Sequence, residues 1–211
     1  MSLHGHSKLS RMNTRNCTIL VLGHLPSADN RSGLRSRDIQ IDSRDATRWL
    51  DSIVGARPLL RCFGLLVDGT YCPTSLRHAE SARLLAQSLD IADPIEDERL
   101  NNIDYGVYKG RQLSDTPSPC DLDSPFEGGE SWNQVAVRWR SFCTEVLPKH
   151  EGKLVLLAGQ SATAPRMLRH ICNGISLEES INQAVPNIPF FSSTHEFPTS
   201  NIAWRYTWTD D

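Results

Sequence analysis

The feature that most constrains the fold is the alternation of short apolar runs with longer amphipathic segments. The apolar runs have the length of buried strands and cover residues 17–22, 65–72, 153–158 and 202–208. Each of the first three is followed by a polar or Gly/Pro-rich loop and then by a segment with helical periodicity. Buried strands that alternate with helices form a mostly parallel sheet with helices on both faces. We therefore predict an α/β fold, a three-layer sandwich.

The amphipathic segments carry apolar residues at helical spacing. We predict helices over residues 46–53, 74–89, 132–146 and 164–172. Asp42 and Ser131 are the expected N-capping residues of the first and third helices. Two proline-containing loops, residues 115–129 and 186–198, show little periodicity. Long irregular loops either form walls of a site or are variable insertions, and both interpretations stay open.

Length and charge set the domain organisation and exclude two function classes. The chain has 211 residues and a net charge of −3, which suits one domain and argues against a broad nucleic-acid interface. The apolar runs are far shorter than the ~20 residues of a membrane span. We expect a flexible N-terminal tail, residues 1–16, and one domain, residues 17–211. The polar tail could instead be an organelle transit segment or residues added for expression.

The cysteines carry no metal or disulfide pattern. They are scattered, without a C-x-x-C pair or a zinc-finger histidine, at Cys17, Cys62, Cys72, Cys120, Cys143 and Cys172. Several lie inside apolar patterns, where free cysteine behaves as a small hydrophobic residue. We expect reduced cysteines and a cytoplasmic location. P-loop, Rossmann and metal-ligand motifs are also absent from the sequence, so we expect no metal and no cofactor.

Polar side chains follow three of the predicted strands. His24 comes after the first strand, Arg77 begins the helix after the second, and Gln160 and Ser161 follow the third. The carboxyl ends of parallel strands meet at one edge of a sheet, where ligands bind. A guanidinium binds phosphate oxygens, and a neutral imidazole nitrogen can attack phosphorus. A lone histidine in such a place is more often structural, so this pattern alone does not identify a nucleophile.

Five ordered blocks resemble the histidine phosphatase superfamily, which has the phosphoglycerate-mutase-like fold. Residues 19–30 resemble the strand that ends in Arg-His-Gly, and residues 75–82 resemble the Arg-Ala-x-Gln-Thr-Ala helix start. Residues 100–110 are similar to the Leu-x-Glu…Gly block, and residues 128–131 match Gly-Gly-Glu-Ser. Residues 155–161 stand where the family has a strand ending in Ser-His-Gly.

The resemblance implies a phosphoryl-transfer site with two arginines, two histidines and a carboxylic acid as proton donor. It places His24 at the nucleophile and Arg77 at the second phosphate-binding arginine. It places Ser27 and Asn30 at contacts to the substrate phosphate, and Asn201 near the substrate. It also implies that no metal or organic cofactor is needed.

Five positions depart from the family pattern: Leu25 and Pro26 replace the Gly and Glu that follow the nucleophile, and three further changes affect the catalytic set. The first arginine is replaced by Gly23, the second histidine by Gly159 and the acid by Asn102. Asn102 can donate a hydrogen bond but cannot deliver a proton to a leaving oxygen. We expect that restoring Gly23→Arg and Gly159→His together raises phosphate affinity.

Neighbouring residues could compensate for these losses. Asp104 is a candidate acid, and Gln160 and Ser161 could donate to phosphate oxygens. His78 is rotated by about 100° from Arg77 on the helix, so we expect it to pack or to face solvent. His195 could fold over the pocket from the second loop, although a solvated position is the simpler expectation.

Three functions remain open. The first is a degenerate superfamily member that binds a small phosphorylated molecule, a phosphate-like anion or a partner, with weak or no turnover. The second is an active phosphomonoesterase that uses His24 as nucleophile in a rebuilt site. The third is a non-catalytic protein-interaction scaffold. We expect no nucleic-acid or membrane partner, and a protein partner or a homodimer is compatible with each function.

Overall fold

The core of the fold is a five-stranded sheet. The computed structural model describes residues 14–44, 46–48, 64–118, 121–184 and 203–209. The strands are β1 (Arg15–Gly23), β2 (Val67–Cys72), β3 (Ile95–Glu96), β4 (Leu154–Gln160) and β5 (Ala203–Trp208). Their order in the sheet is β3-β2-β4-β1-β5. The first four run parallel, and β5 runs antiparallel to β1 at the edge. The predicted mostly parallel α/β sheet is confirmed.

Within the described ranges, five α-helices have both ends defined, and they follow the strands or connect them. They are α1 (Ala28–Arg31), α2 (Leu76–Leu89), α3 (Trp132–Val146), α4 (Thr163–Asn173) and α5 (Leu177–Asn182). The three long helices agree with the sequence patterns. At the start of α3, the Ser131 hydroxyl accepts from Gln134 N (3.2 Å) and the Gln134 side chain accepts from Ser131 N (2.8 Å), which is a capping box.

The two faces of the sheet bury separate clusters of apolar residues. Along β1, Ile19 and Val21 pack with α3 and α4, whereas Leu22 packs with α2 on the opposite face. The first cluster contains Trp139 and Phe142, both fully buried, each of which contributes roughly 2–3 kcal/mol of burial free energy. Helices therefore cover both faces, as the alternating pattern predicts.

Some boundaries differ from the sequence-based expectation. β1 begins at Arg15, two residues earlier than predicted. β2 begins at Val67, because Leu65 and Leu66 lie outside the strand with exposed fractions of 87% and 66%. The helix predicted over residues 46–53 is described only at residues 46–48, which are helical. The loop over residues 186–198 lies outside the described residues. Within the described ranges, no helix has the length and apolar character needed to cross a membrane.

Candidate active site

A cleft of about 870 Å³ opens at the carboxyl ends of β1, β2 and β4. Six of the residues expected at the site line it: His24, Asn30, Arg77, Asn102, Asp104 and Ser161. The His24 amide donates to the Gln160 carbonyl (3.1 Å), which joins the ends of β1 and β4. The sheet therefore brings together the strand ends that the sequence analysis selected. Asn201 and His195 lie outside the described residues.

Hydrogen bonding selects one tautomer of the His24 imidazole. Its Nδ1 lies 2.7 Å from the Leu25 carbonyl oxygen. A carbonyl can only accept, so Nδ1 must carry the proton and donate it. In the neutral ring, Nε2 is then left with a free lone pair. This is the tautomer that a nucleophilic histidine requires.

Burial and charge keep this imidazole neutral. The pKa of His24 is lowered to about 4, mainly because the ring is desolvated and also because Arg77 is positively charged. The bond to the Leu25 carbonyl opposes this shift of the pKa. At pH 7 the ring is neutral, with its proton on Nδ1, and the Nε2 lone pair is available to an electrophile.

Arg77 is a buried cation whose hydrogen-bonding capacity is largely unused. It lies in the first turn of α2 with an exposed fraction of 5%. Among the residues that the structure describes, its Nε has no hydrogen-bond partner and Nη1 reaches only the Arg37 carbonyl at 3.5 Å. Burial lowers the pKa of Arg77 to about 10, against the opposing effect of Asp38 and Asp29, so the group remains charged at pH 7. A buried guanidinium with free donors is suited to bind an anion.

His78 packs directly against the candidate nucleophile. It is buried (2% exposed), and its ring meets the His24 ring edge to face at a centroid distance of 4.7 Å. Its Nδ1 hydrogen-bonds to the Ser75 hydroxyl, and its Nε2 is buried without a partner. Of the two expected placements, packing is therefore correct and solvent exposure is wrong.

The packing of His78 follows from a bond between the β1 loop and α2. The Leu25 amide donates to Ser81 Oγ at 2.9 Å, which draws the loop onto the helix face that carries His78. Ser75, His78 and Ser81 recur every three residues and form a polar row from the N-cap along α2. That row is the signal in the sequence that could have identified this face.

Gly159 does not leave an empty place for a histidine. Its φ is +65°, and a Cβ built on it would lie 2.1 Å from the His78 carbonyl oxygen. A side chain would need both an unfavourable backbone conformation and displacement of α2. The backbone therefore has no room for the Gly159→His part of the expected double substitution, and the effect of that substitution on phosphate affinity stays a prediction.

Two expected site residues are buried behind the cleft and do not line it. Ser27 is fully buried, and its hydroxyl donates to Asn30 Oδ1 (2.9 Å) at the start of α1. Gln160 is 1% exposed and donates to the Ala158 carbonyl at 3.4 Å. Both side chains therefore hydrogen-bond to residues close to them in sequence and face away from the cleft.

Asn102, at the position of the family's acid, and Asp104, the candidate acid, both take part in hydrogen bonds within the protein. Thr163 Oγ1 donates to Asn102 Oδ1, which ties the amide to the first turn of α4. Asp104 lines the same cleft, and its carboxylate accepts from Lys109 Nζ (2.8 Å) and from the Gly106 amide (2.7 Å). Neither side chain is free of an intramolecular partner.

Comparison with known proteins identifies the family. Residues 59–190, more than half of the chain, match the family model of the histidine phosphatase superfamily (branch 1). The chain belongs to the histidine phosphatase superfamily. The match begins after β1, so the place of His24 in this superfamily member rests on the fold and on the motif order. A search of curated protein sequences finds no match.

Solved structures share the fold at low sequence identity. A mycobacterial glucosyl-3-phosphoglycerate phosphatase in complex with VO3 has a TM-score of 0.63 and 17% identity, over 82% of this chain and 88% of that one. A structure described as mycobacterial hydrolase 1 has a TM-score of 0.61 and 16% identity, over 83% and 89%. A putative α-ribazole-5'-P phosphatase from Escherichia coli has a TM-score of 0.56 and 16% identity, over 81% and 86%. These similarities show the phosphatase fold.

The cleft of this histidine phosphatase domain is rich in cations, most of which the sequence motifs do not indicate. Its lining includes Arg35, Arg37, Arg77, Arg99, Lys109, Arg138 and Arg166. Arg35 and Arg166 belong to none of the five blocks, and they come to the cleft only through the folding of the loops and α4. In the described part of the chain, no three histidine, cysteine or acidic side chains cluster in a way that could hold a metal ion.

Proposed function

We propose that this domain binds a small phosphomonoester at His24 and Arg77 and transfers its phosphoryl group only slowly. The observation that carries the proposal is the pairing of a neutral His24, whose Nε2 lone pair is free, with an unpartnered, charged Arg77 in one cleft. A phosphoryl group suits both residues, because its anionic oxygens can accept from Arg77 and its electrophilic phosphorus can face the His24 lone pair. The deficits at Gly23, Gly159 and Asn102 limit turnover, and Arg77 is left as the charged group that holds the phosphate.

The reaction that these groups support has two steps. His24 Nε2 attacks phosphorus, an N–P bond forms, and the P–O bond to the leaving group breaks with its electron pair on oxygen. Arg77 stabilises the negative charge on the equatorial phosphoryl oxygens. Water then attacks the phosphohistidine, which releases inorganic phosphate and returns the lone pair to Nε2.

Slow turnover follows from the missing proton donor and the missing charge donors. Asn102 cannot protonate the leaving oxygen, and its carbonyl oxygen is engaged by Thr163. General acid catalysis contributes ~100- to 10,000-fold, and one preorganised charge donor contributes ~100- to 1000-fold. An alkyl phosphate, whose leaving group needs a proton, should suffer most. An aryl phosphate with a stable phenolate should suffer least.

A second candidate function is full phosphomonoesterase activity with Asp104 as the acid. It is favoured by the presence of Asp104 in the lining of the same cleft. Its ion pair with Lys109 would have to open before the side chain could serve the leaving group. The scaffold function and a homodimer stay predictions, since no observation favours them.

A cytoplasmic location also belongs to this proposal. The cysteines in the described residues, Cys17, Cys72, Cys143 and Cys172, are free thiols. Burial raises the pKa of Cys72 to about 12, which suppresses the reactive thiolate. Unreactive free thiols are compatible with a reducing compartment.

The leaving group decides between the two candidate functions. We expect slow hydrolysis of p-nitrophenyl phosphate, abolished by His24→Ala, and almost none of an alkyl phosphate such as glycerol phosphate. Asn102→Glu should raise alkyl phosphate turnover by ~100-fold and aryl turnover far less. Asn102→Gln is the matched control, because it has the same length and no transferable proton.

Two outcomes would contradict the proposal. Rapid, saturable hydrolysis of the alkyl phosphate by the unmodified protein, lost in Asp104→Asn, would assign the full phosphatase. Absence of vanadate and phosphate binding in calorimetry would remove the phosphate site altogether.

A further inference from the structure

The candidate nucleophile His24 is held on two sides by different elements. On one side its Nδ1 donates to the Leu25 carbonyl oxygen at 2.7 Å, within the loop that follows β1. On the other side its ring meets the His78 ring of α2 edge to face, with 4.7 Å between the ring centroids. A hydrogen bond at one nitrogen leaves the ring free to tilt, because the terminal torsion of histidine has broad minima. The contact with the His78 ring restricts that tilt.

His78 is itself held in place by the residue that begins its helix. Its Nδ1 is hydrogen-bonded to the Ser75 hydroxyl, and the residue is only 2% exposed. Ser75 is the N-cap residue of α2, yet within the described residues its hydroxyl caps no amide of the first turn. Asp38 Oδ1 instead accepts from the Leu76 amide at 2.6 Å. The Ser75 side chain is therefore engaged in orienting His78 and not in capping the helix.

A histidine at position 78 is not the most stable choice for this part of the fold. Its Nε2 is buried and has no hydrogen-bond partner among the described residues. An unsatisfied buried polar atom is destabilising, so an apolar ring of the same shape would be expected to stabilise the fold more. The family block that residues 75–82 resemble has alanine after its arginine, where this chain has His78. The stability of the fold therefore does not account for this histidine.

The same helix also fixes the backbone next to His24. The Leu25 amide donates to Ser81 Oγ at 2.9 Å, and the Ser81 hydroxyl donates to the Arg77 carbonyl at 2.6 Å. The Leu25 carbonyl, in turn, is the acceptor for His24 Nδ1. One rigid element thus holds both the loop and the ring of the nucleophile, and it also carries the phosphate-binding arginine.

We propose that His78 is a positioning residue for phosphoryl transfer. Its ring, oriented by Ser75, holds the His24 imidazole so that Nε2 faces the phosphorus of a bound phosphomonoester. This inference rests on the proposed function, because it concerns the nucleophile of that reaction. In-line attack needs reacting atoms about 3–3.5 Å apart with the lone pair aligned, and a displacement of ~1 Å can cost about 100-fold in rate. His78 acts through His24 and does not itself contact the substrate.

Substitutions at position 78 separate the rate from binding. His78→Ala should lower kcat for p-nitrophenyl phosphate by ~10- to 100-fold, because the His24 ring loses one of its two supports. KM and the affinity for vanadate should stay within about threefold, since Arg77 is retained and KM reports binding when chemistry is slow. His78→Phe restores a ring beside His24 and should recover most of the rate lost in His78→Ala.

A buried residue at the far end of α2 gives the matched control. Leu89 is fully buried, and it lies about 16 Å further along the helix axis than His78. Leu89→Ala removes a comparable buried side chain and should destabilise the fold, but it should leave kcat unchanged. This variant separates the loss of a packed side chain from the loss of the contact with His24.

Nitrogen NMR of the His24 ring tests the positioning without turnover. In the ¹⁵N-labelled protein, the signals that disappear in His24→Ala identify this ring, and their shifts report which nitrogen carries the proton. The unmodified protein should show one tautomer, with the proton on Nδ1. In His78→Ala the ring is free to leave the Leu25 carbonyl, so the shifts should move toward a mixture of tautomers. His78→Phe should return them, and Leu89→Ala should not move them.

Each failure gives a different result. Unchanged kcat and unchanged His24 shifts in His78→Ala, with vanadate still bound, overturn the positioning role alone. Equal losses of kcat in His78→Ala and Leu89→Ala assign the effect to the stability of α2 and also overturn it. Loss of vanadate affinity in His78→Phe but not in His78→Gln, whose amide reaches the place of Nε2, makes His78 a phosphate ligand and overturns it as well. If vanadate does not bind the unmodified protein, the phosphate site itself is overturned.

Discussion

The two walls of the strand-end cleft have changed in different ways from the family pattern. On the α2 wall, Arg77 retains its place, and His78 packs against His24 from the same helix turn. On the β4 wall, the expected histidine is Gly159, and the backbone of His78 has approached to within 2.1 Å of where its Cβ would be. The α2 wall therefore has the arginine that the family pattern expects, whereas on the β4 wall the α2 backbone occupies the space that a side chain at position 159 would need.

This difference shows that a family side chain that is absent from the sequence does not leave an empty space in the structure. The space that a residue at position 159 would need belongs to α2, so the helix and the β4 turn now depend on each other. A motif that is degenerate in sequence can therefore be well packed in structure. The comparison predicts strong structural effects on the β4 wall and binding effects on the α2 wall.

The largest effect is expected from a methyl group on the β4 wall. Gly159→Ala should lower the free energy of unfolding by about 3 kcal/mol, because the left-handed conformation costs ~1–2 kcal/mol and the contact with the His78 carbonyl adds ~1–3 kcal/mol. Gly174→Ala is the matched control, since Gly174 has φ +68° and nothing within 4 Å of its Cβ position. It should lose only about 1 kcal/mol in urea denaturation. Equal losses in the two variants would mean that α2 yields to a side chain at position 159.

The α2 wall should respond in binding. Arg77→Gln should weaken vanadate affinity by ~10- to 100-fold, because a charge-assisted hydrogen bond contributes roughly 1.5–3 kcal/mol. The ligand-free variant should be at least as stable as the unmodified protein, since an unpartnered buried charge is removed. Arg83→Gln is the matched control on the same helix, where Arg83 is exposed and paired with Glu96. Unchanged vanadate affinity in Arg77→Gln would separate this arginine from the phosphate site.

The sheet was predictable from the sequence to the extent that its strands are buried. β4 is a strand buried along nearly all of its length, and β1 contains an apolar run at residues 19–22, and such runs indicate buried parallel strands without any alignment. β3 has only two residues, both exposed, so neither period nor hydropathy could reveal it. α5 is a single short helix of six residues, below the length at which a helical stripe becomes distinct.

The site was predictable only where a motif fixed the residue. His24 and Arg77 follow from the order of the strands and from the family pattern. The packing of His78 depends on the Leu25–Ser81 bond, which joins residues 56 positions apart, and a helical wheel contains no such information. Arg35 and Arg166 reach the cleft through tertiary packing alone, so no local pattern distinguishes them from surface arginines.

The last effect concerns the acid sensitivity of the place where His78 of α2 packs against His24, which follows β1. His24, with its pKa near 4, and His78, with its pKa well below the usual range because of burial, stay neutral in the folded protein. Between pH 6.5 and pH 4 the unfolded chain binds protons at these positions that the folded chain does not, so stability is present above pH 6.5 and falls as pH decreases. Between pH 7 and pH 5 we expect each of these two histidines to contribute a loss of about 2 kcal/mol in the free energy of unfolding. His78→Asn should remove the part of this dependence that arises from His78 and leave the part from His24, as measured in urea titrations at several pH values. An unaltered slope in His78→Asn would show that the acid sensitivity arises elsewhere, and the two walls would then differ in packing but not in protonation.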